Sequence, residues 1–126
     1  MSRTFALGLT LLVLSLALAA CGGGAEPTEA PPFGDPQAGA EVFAGTCASC
    51  HGATWTGIEG LGKNLTTSEW VSQQSDAQLV KFIKTGRPAT DKLNTTGVDM
   101  PPKGGNPALT DADIENVVAF VRSIHQ

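Results

Sequence analysis

The residues with the most chemistry in this chain stand together. Cys47-Ala48-Ser49-Cys50-His51 sets two thiols three residues apart, with an imidazole directly after the second. On one helical turn, side chains three apart point the same way. Each thiol could then reach one of the two vinyl groups of a single haem. The adjacent histidine could turn its ring under the iron. This C-x-x-C-H spacing predicts one covalent haem c held by Cys47 and Cys50, with His51 as an axial ligand. Two other chemistries use paired cysteines. A thioredoxin-like redox pair needs a βαβ setting, and no strand pattern of any length is visible. A zinc site needs further Cys or His, and His125 is the only other histidine.

A second axial ligand would be Met, His or Lys. Apart from the start residue, Met100 is the only methionine, and it directly precedes Pro101-Pro102. Methionine is most often a core filler. A filler belongs on a periodic helix face, and a loop methionine between Asp99 and Pro101 has none. Two prolines stiffen the backbone just after it, so its thioether has little entropy left to lose. Met100 is therefore the expected second iron ligand. His125 is the competitor, in the last turn of a predicted helix, where histidine usually complements the helix dipole.

These groups need elements to hold them. Asp35 can cap a first helix, and Pro36 suits its first position. Ala38, Val42 and Phe43 give that helix an apolar face. Gly39 and Phe43 share a face, and a glycine there would let another helix cross closely. Cys47 to Gly62 reads as loop. Thr66 to Gln73 predicts a short helix, with Thr66 and Glu69 spaced as a capping box. Ser75 and Gln78 repeat that spacing before Leu79, Val80, Phe82 and Ile83. That helix should stop at Gly86, with Pro88 beyond it. Residues 87 to 109, rich in Pro and Gly, read as loop. Thr110 to Asp113 forms a variant capping box, with Asp111 and Asp113 where the helix dipole favours acids. Ile114, Val117, Val118, Val121 and Ile124 follow at helical spacing, with Phe120 beside them. The expected fold is all-α with long loops.

The N-terminus reads as a targeting segment. The chain has 126 residues, enough for one domain plus a processed or unstructured part. Arg3 precedes a run from Phe5 to Ala20 broken mainly by Thr10 and Ser15. That run is shorter than the roughly 20 residues a membrane span needs, so residues 1–20 read as a signal peptide. Leu18-Ala19-Ala20-Cys21 resembles a bacterial lipobox, in which the cysteine is lipidated and becomes the first mature residue. An ordinary cleavage near Ala20 and an uncleaved anchor are the other readings. Lipidation of Cys21 would account for the odd count of three cysteines. It would also fix the protein to a membrane outside the cytoplasm. Residues 21–34 then form a flexible tether with almost nothing to bury, and residues 35–126 form the domain. The formal net charge is −4 and there is no basic tract, which argues against a nucleic-acid partner.

The C-x-x-C-H and the run Met100-Pro101-Pro102-Lys103-Gly104-Gly105-Asn106-Pro107-Ala108-Leu109-Thr110-Asp111 together resemble a class I monohaem c-type cytochrome, in a bacterial lipoprotein form. The resemblance covers essentially all of 35–126. It implies a small helical domain wrapped around one covalent haem with His and Met axial ligands. It also implies a crossing of N- and C-terminal helices, for which Gly39 and Phe43 match one pair and Val117 and Phe120 the other. Family members often place a proline after the haem motif, whose carbonyl accepts the histidine's ring N–H. Gly60-Leu61-Gly62-Lys63-Asn64-Leu65 has no proline, so a carbonyl from Leu61 to Lys63 is expected to accept that bond. Trp55 and Trp70 are candidate haem contacts, against plain core packing. Arg87 is a candidate propionate contact, against an exposed loop charge. The implied activity is one-electron transfer between redox protein partners on a membrane. No catalytic residue and no small-molecule substrate are expected. A haem enzyme and a haem sensor are the alternatives.

Overall fold

The structure, a computed structural model, describes residues 33–126. The leader, Cys21 and all but the last two residues of the tether lie outside the described residues. Among the described residues there is no β-strand, only two isolated bridges, Ile58 with Gly62 and Arg87 with Met100.

The helices begin where their caps dictate. In α1 (Pro36–Val42), the Asp35 carboxylate accepts the free Gln37 and Ala38 N–H groups, and proline occupies the first turn. The chain then continues through a π-helical turn (Phe43–Cys47) into α2 (Ala48–His51) and stops at Gly52, with φ 79°. Cys47 to His51 is therefore helical, and the loop expected over Cys47–Gly62 starts only at Gly52. Low local propensity gives way here because Phe43 is fully packed, and packing of an apolar face decides most helices.

The expected start of α3 also shifts. The helix covers Glu69–Gln73, and its cap is Ser68, whose hydroxyl accepts from Val71 N–H. Thr66 is not the cap. Its backbone N–H and hydroxyl both donate to Asn64 Oδ1, at 2.8 Å each, which commits it to the preceding turn. In α4 (Asp76–Thr85) the Ser75–Gln78 capping box forms as expected, and Gly86 ends the helix at φ 70°. A tight turn (Pro102–Gly105), left-handed at Lys103 and Gly104, interrupts the long loop before α5. In α5 (Asp111–Ile124), Thr110 and Asp113 cap each other reciprocally.

Two contacts set the frame. A side-chain carbon on Gly39 would overlap the Asn116 carbonyl oxygen, so only glycine lets α1 lie this close to α5. One turn on, the Phe43 and Phe120 rings pack at 5.4 Å between centroids. Arg122 fastens the other side of α5. It donates to the Asp76 carboxylate at 2.8 Å and to the Val71 and Gln74 carbonyls. The core is a cluster of Val71, Leu79, Val117, Val118 and Val121, drawn from α3, α4 and α5.

Candidate haem site

All but one of the buried apolar residues do double duty. Except for Phe120, they line a single cavity of about 550 Å³. That volume is within the roughly 300–1,000 Å³ of cofactor sites. The cavity wall and the hydrophobic core are thus largely the same residues. A domain this small buries too little apolar surface of its own to be comfortably stable. An apolar macrocycle packed on these side chains fits both the volume and that need.

Cys47, Cys50, His51 and Met100, from opposite ends of the domain, all line this cavity. The helical run through Phe43 delivers the first three. Gly62 lets the following loop press on them, since a side-chain carbon there would overlap the Cys50 carbonyl oxygen. Neither cysteine is in a disulfide. Burial, reinforced by the neighbouring Cys50, pushes the Cys47 thiol up to about 11. Redox and nucleophilic cysteines have lowered values, so this environment does not suit a thioredoxin-like pair. Among the described residues, no group of three or more His, Cys, Asp or Glu could hold a metal ion, which removes the zinc reading there.

His51 is fixed by a specific bond. Its Nδ1 lies 2.8 Å from the Lys63 carbonyl oxygen. A carbonyl only accepts, so Nδ1 carries a proton, and in the neutral ring the lone pair is then on Nε2. Of the three carbonyls expected for this role, Lys63 supplies it. Such a bond fixes a ligand's tautomer and ring orientation.

Met100 is fixed through its backbone. Its N–H donates to the Arg87 carbonyl, and the Arg87 N–H donates back, both at 2.8 Å. Gly86 leaves room for this pairing, because a side-chain carbon there would overlap the Met100 carbonyl oxygen. Arg87 is not an exposed loop charge. Its guanidinium sits 4.7 Å from both the Trp70 and the Phe82 ring centroids, and its side chain is 17% exposed. Cation–π attraction on two faces, with Asp91 at 3.9 Å, holds it at the cavity. Phe82, read only as a helix-face residue, therefore also belongs to the site.

Trp70 lines the cavity and Trp55 does not. Trp55 packs edge-on against Phe120 at 5.5 Å, with backbone φ 65°. His125 is engaged elsewhere, with Nε2 3.0 Å from the Ser68 carbonyl oxygen. Lys103, three residues past Met100, also lines the cavity. Its backbone is left-handed, at φ 55°, and its ammonium donates to the Leu109 carbonyl at 2.7 Å.

A helical fold whose core is the wall of one cavity, with a C-x-x-C-H at one side of it, defines a haem-c domain. The family model "Cytochrome C oxidase, cbb3-type, subunit III" matches residues 34–121, and the chain belongs to this family of c-type cytochrome domains. A cytochrome c-555 of Prosthecochloris aestuarii is 34% identical over 83 residues, which cover 66% of this chain and 81% of that protein. A cytochrome c-555 of Chlorobaculum thiosulfatiphilum is 31% identical over 87 residues, covering 69% and 93%. The cbb3-type oxidase subunit FixP of Azorhizobium caulinodans is 34% identical over 102 residues, or 80% of this chain. The chain spans only 30% of the length of that subunit. No solved structure matches significantly. The chain is a haem-c domain, and its relatives are named both as cytochromes c-555 and as subunits of cbb3-type oxidases.

Proposed function

We propose that this chain passes single electrons through a haem held by Cys47 and Cys50 and ligated by His51 and Met100. One observation carries the reading most directly. The Lys63 carbonyl fixes the His51 tautomer with the Nε2 lone pair available, and Met100 lines the same cavity. When bound, the haem supplies a one-electron couple, and the protein sets its potential, its access and its partners. With both axial positions filled by side chains, the site has no open position for a substrate. That favours a carrier over a haem enzyme, and no catalytic residue is assigned. Donor and acceptor are redox proteins met over a small, short-lived interface.

Met100→Ala tests the ligand set. The haem should stay attached through the two cysteines, and the reduction potential should fall, since a thioether ligand raises it. An unchanged potential would sink the axial role of Met100.

The domain is further proposed to work outside the cytoplasm, on a lipid carried by Cys21 as the first mature residue, with residues 21–34 as its tether and 35–126 as the carrier domain. The support is the Leu18-Ala19-Ala20-Cys21 sequence and the family's haem chemistry. Among the described residues no helix is long and apolar enough to cross a membrane. Cys21→Ser should release the haem-loaded protein from the membrane fraction. Retention on the membrane would contradict lipidation there.

A further inference from the structure

We propose that Asn94 is a positioning residue for Met100, and that its side-chain amide decides how often the Met100 thioether leaves its place. This rests on the reading of Met100 as an iron ligand.

The loop from Pro88 to Asp99 brings Met100 to the cavity without any helix or strand. Its larger apolar side chains, Leu93 and Val98, line the cavity and so meet whatever fills it. With no regular ladder, the loop's backbone is held by local polar bonds. Asp91 accepts the Leu93 N–H, and the largest group of these side-chain bonds is on Asn94. Asn94 Nδ2 donates to the Pro88 carbonyl at 3.2 Å and to the Val98 carbonyl at 2.8 Å. Asn94 Oδ1 accepts from Thr96 N–H at 3.1 Å, from the Thr96 hydroxyl at 3.2 Å and from Gly97 N–H at 2.9 Å.

The positions of the two donations matter most. Pro88 directly follows Arg87, and Val98 stands two residues before Met100. Arg87 and Met100 are the residues whose backbones pair in both directions. Asn94 therefore closes the loop immediately behind that pair, from the inside. Asp99 supports it from the other side, by accepting the Ala89 N–H. Asn94 itself lines the same cavity as His51 and Met100. If the Asn94 bonds break, the Pro88 and Val98 carbonyls lose the side chain that spans them, and the Arg87–Met100 pairing and the Asp99–Ala89 tie remain as the bonds that cross the loop.

The chemistry gives a sharp variant. A carboxylate has nearly the shape of the amide but cannot donate. Asn94→Asp keeps the three accepted bonds and turns the two donations into oxygen–oxygen repulsion. Asn94→Ala removes all five. The readout is binding of imidazole to the oxidised holoprotein, together with the reduction potential, in wild type, both Asn94 variants and Met100→Ala. Imidazole competes only when the thioether has moved away. Loss of a supporting bond around a metal typically changes affinity about 10–100-fold. Both Asn94 variants should bind imidazole about tenfold or more tightly than wild type, and their potentials should fall toward that of Met100→Ala.

Imidazole affinities within about twofold of wild type, with much tighter binding by Met100→Ala, would overturn the role of Asn94 and leave the ligand reading intact. A lower melting point with unchanged imidazole affinity would overturn it too, because it would show a purely structural role. Wild type binding imidazole as tightly as Met100→Ala would instead remove the ligand reading, and this inference with it.

Discussion

At the scale of single residues, spacing revealed the chemistry and elimination narrowed it. Cys47, Cys50 and His51 are local in sequence, so their pattern is complete without a fold. Met100 is distant, and it was legible because the chain offers no other internal methionine. The place of Arg87 was not legible. Nothing nearby in sequence shows that Trp70 and Phe82, on two separate helices, will close on its guanidinium. Asn94 was invisible for a similar reason, since its worth lies in loop carbonyls that only a folded chain brings together. Charged caps were readable and have a consequence for pH. The Thr110 hydroxyl and amide hold the Asp113 carboxyl below its ordinary range, and Lys84 does the same for Asp111. A depressed value in the folded state stabilises the protein above the unfolded value, near about 3.9, and that contribution fades as pH falls through the folded value. The holoprotein's melting point should therefore drop on going from about pH 5 to about pH 3, and less steeply in Asp113→Asn. Equal slopes in the two proteins would show that this carboxylate contributes nothing.

At the scale of elements, caps were read well and packing less well. The Ser75–Gln78 and Thr110–Asp113 boxes stand as the sequence predicts, because each depends on residues within one turn. The start of α3 was displaced from Thr66 to Ser68 by the Asn64 side chain, which competes for the same donors. The helical run through Cys47 was hidden because Gly45 and Thr46 weaken local propensity there. Its cause is tertiary, the seating of Phe43 against Phe120. The crossing of α1 and α5 was legible from Gly39, whose missing side chain is the condition for contact with Asn116. This crossing positions the whole attachment motif, since α1 leads directly into it. The long loop before α5 conceals the second half of the site, where the Arg87–Met100 pairing substitutes for a regular element.

At the scale of the whole molecule, a small domain has built its core around a cofactor rather than beside one. The apolar residues of α3, α4 and α5 face inward onto a cavity that also receives the attachment motif and Met100. Stability and function therefore share the same side chains. On the proposed ligand set both axial positions are closed by the protein, which would make the chain a carrier. The most direct test is the absorption spectrum of the reduced holoprotein with and without carbon monoxide. Closure by His51 and Met100 predicts no change on adding the gas. A shift to a carbon monoxide adduct in the wild-type protein would contradict it, and would show a ligand-binding haem instead of a closed one.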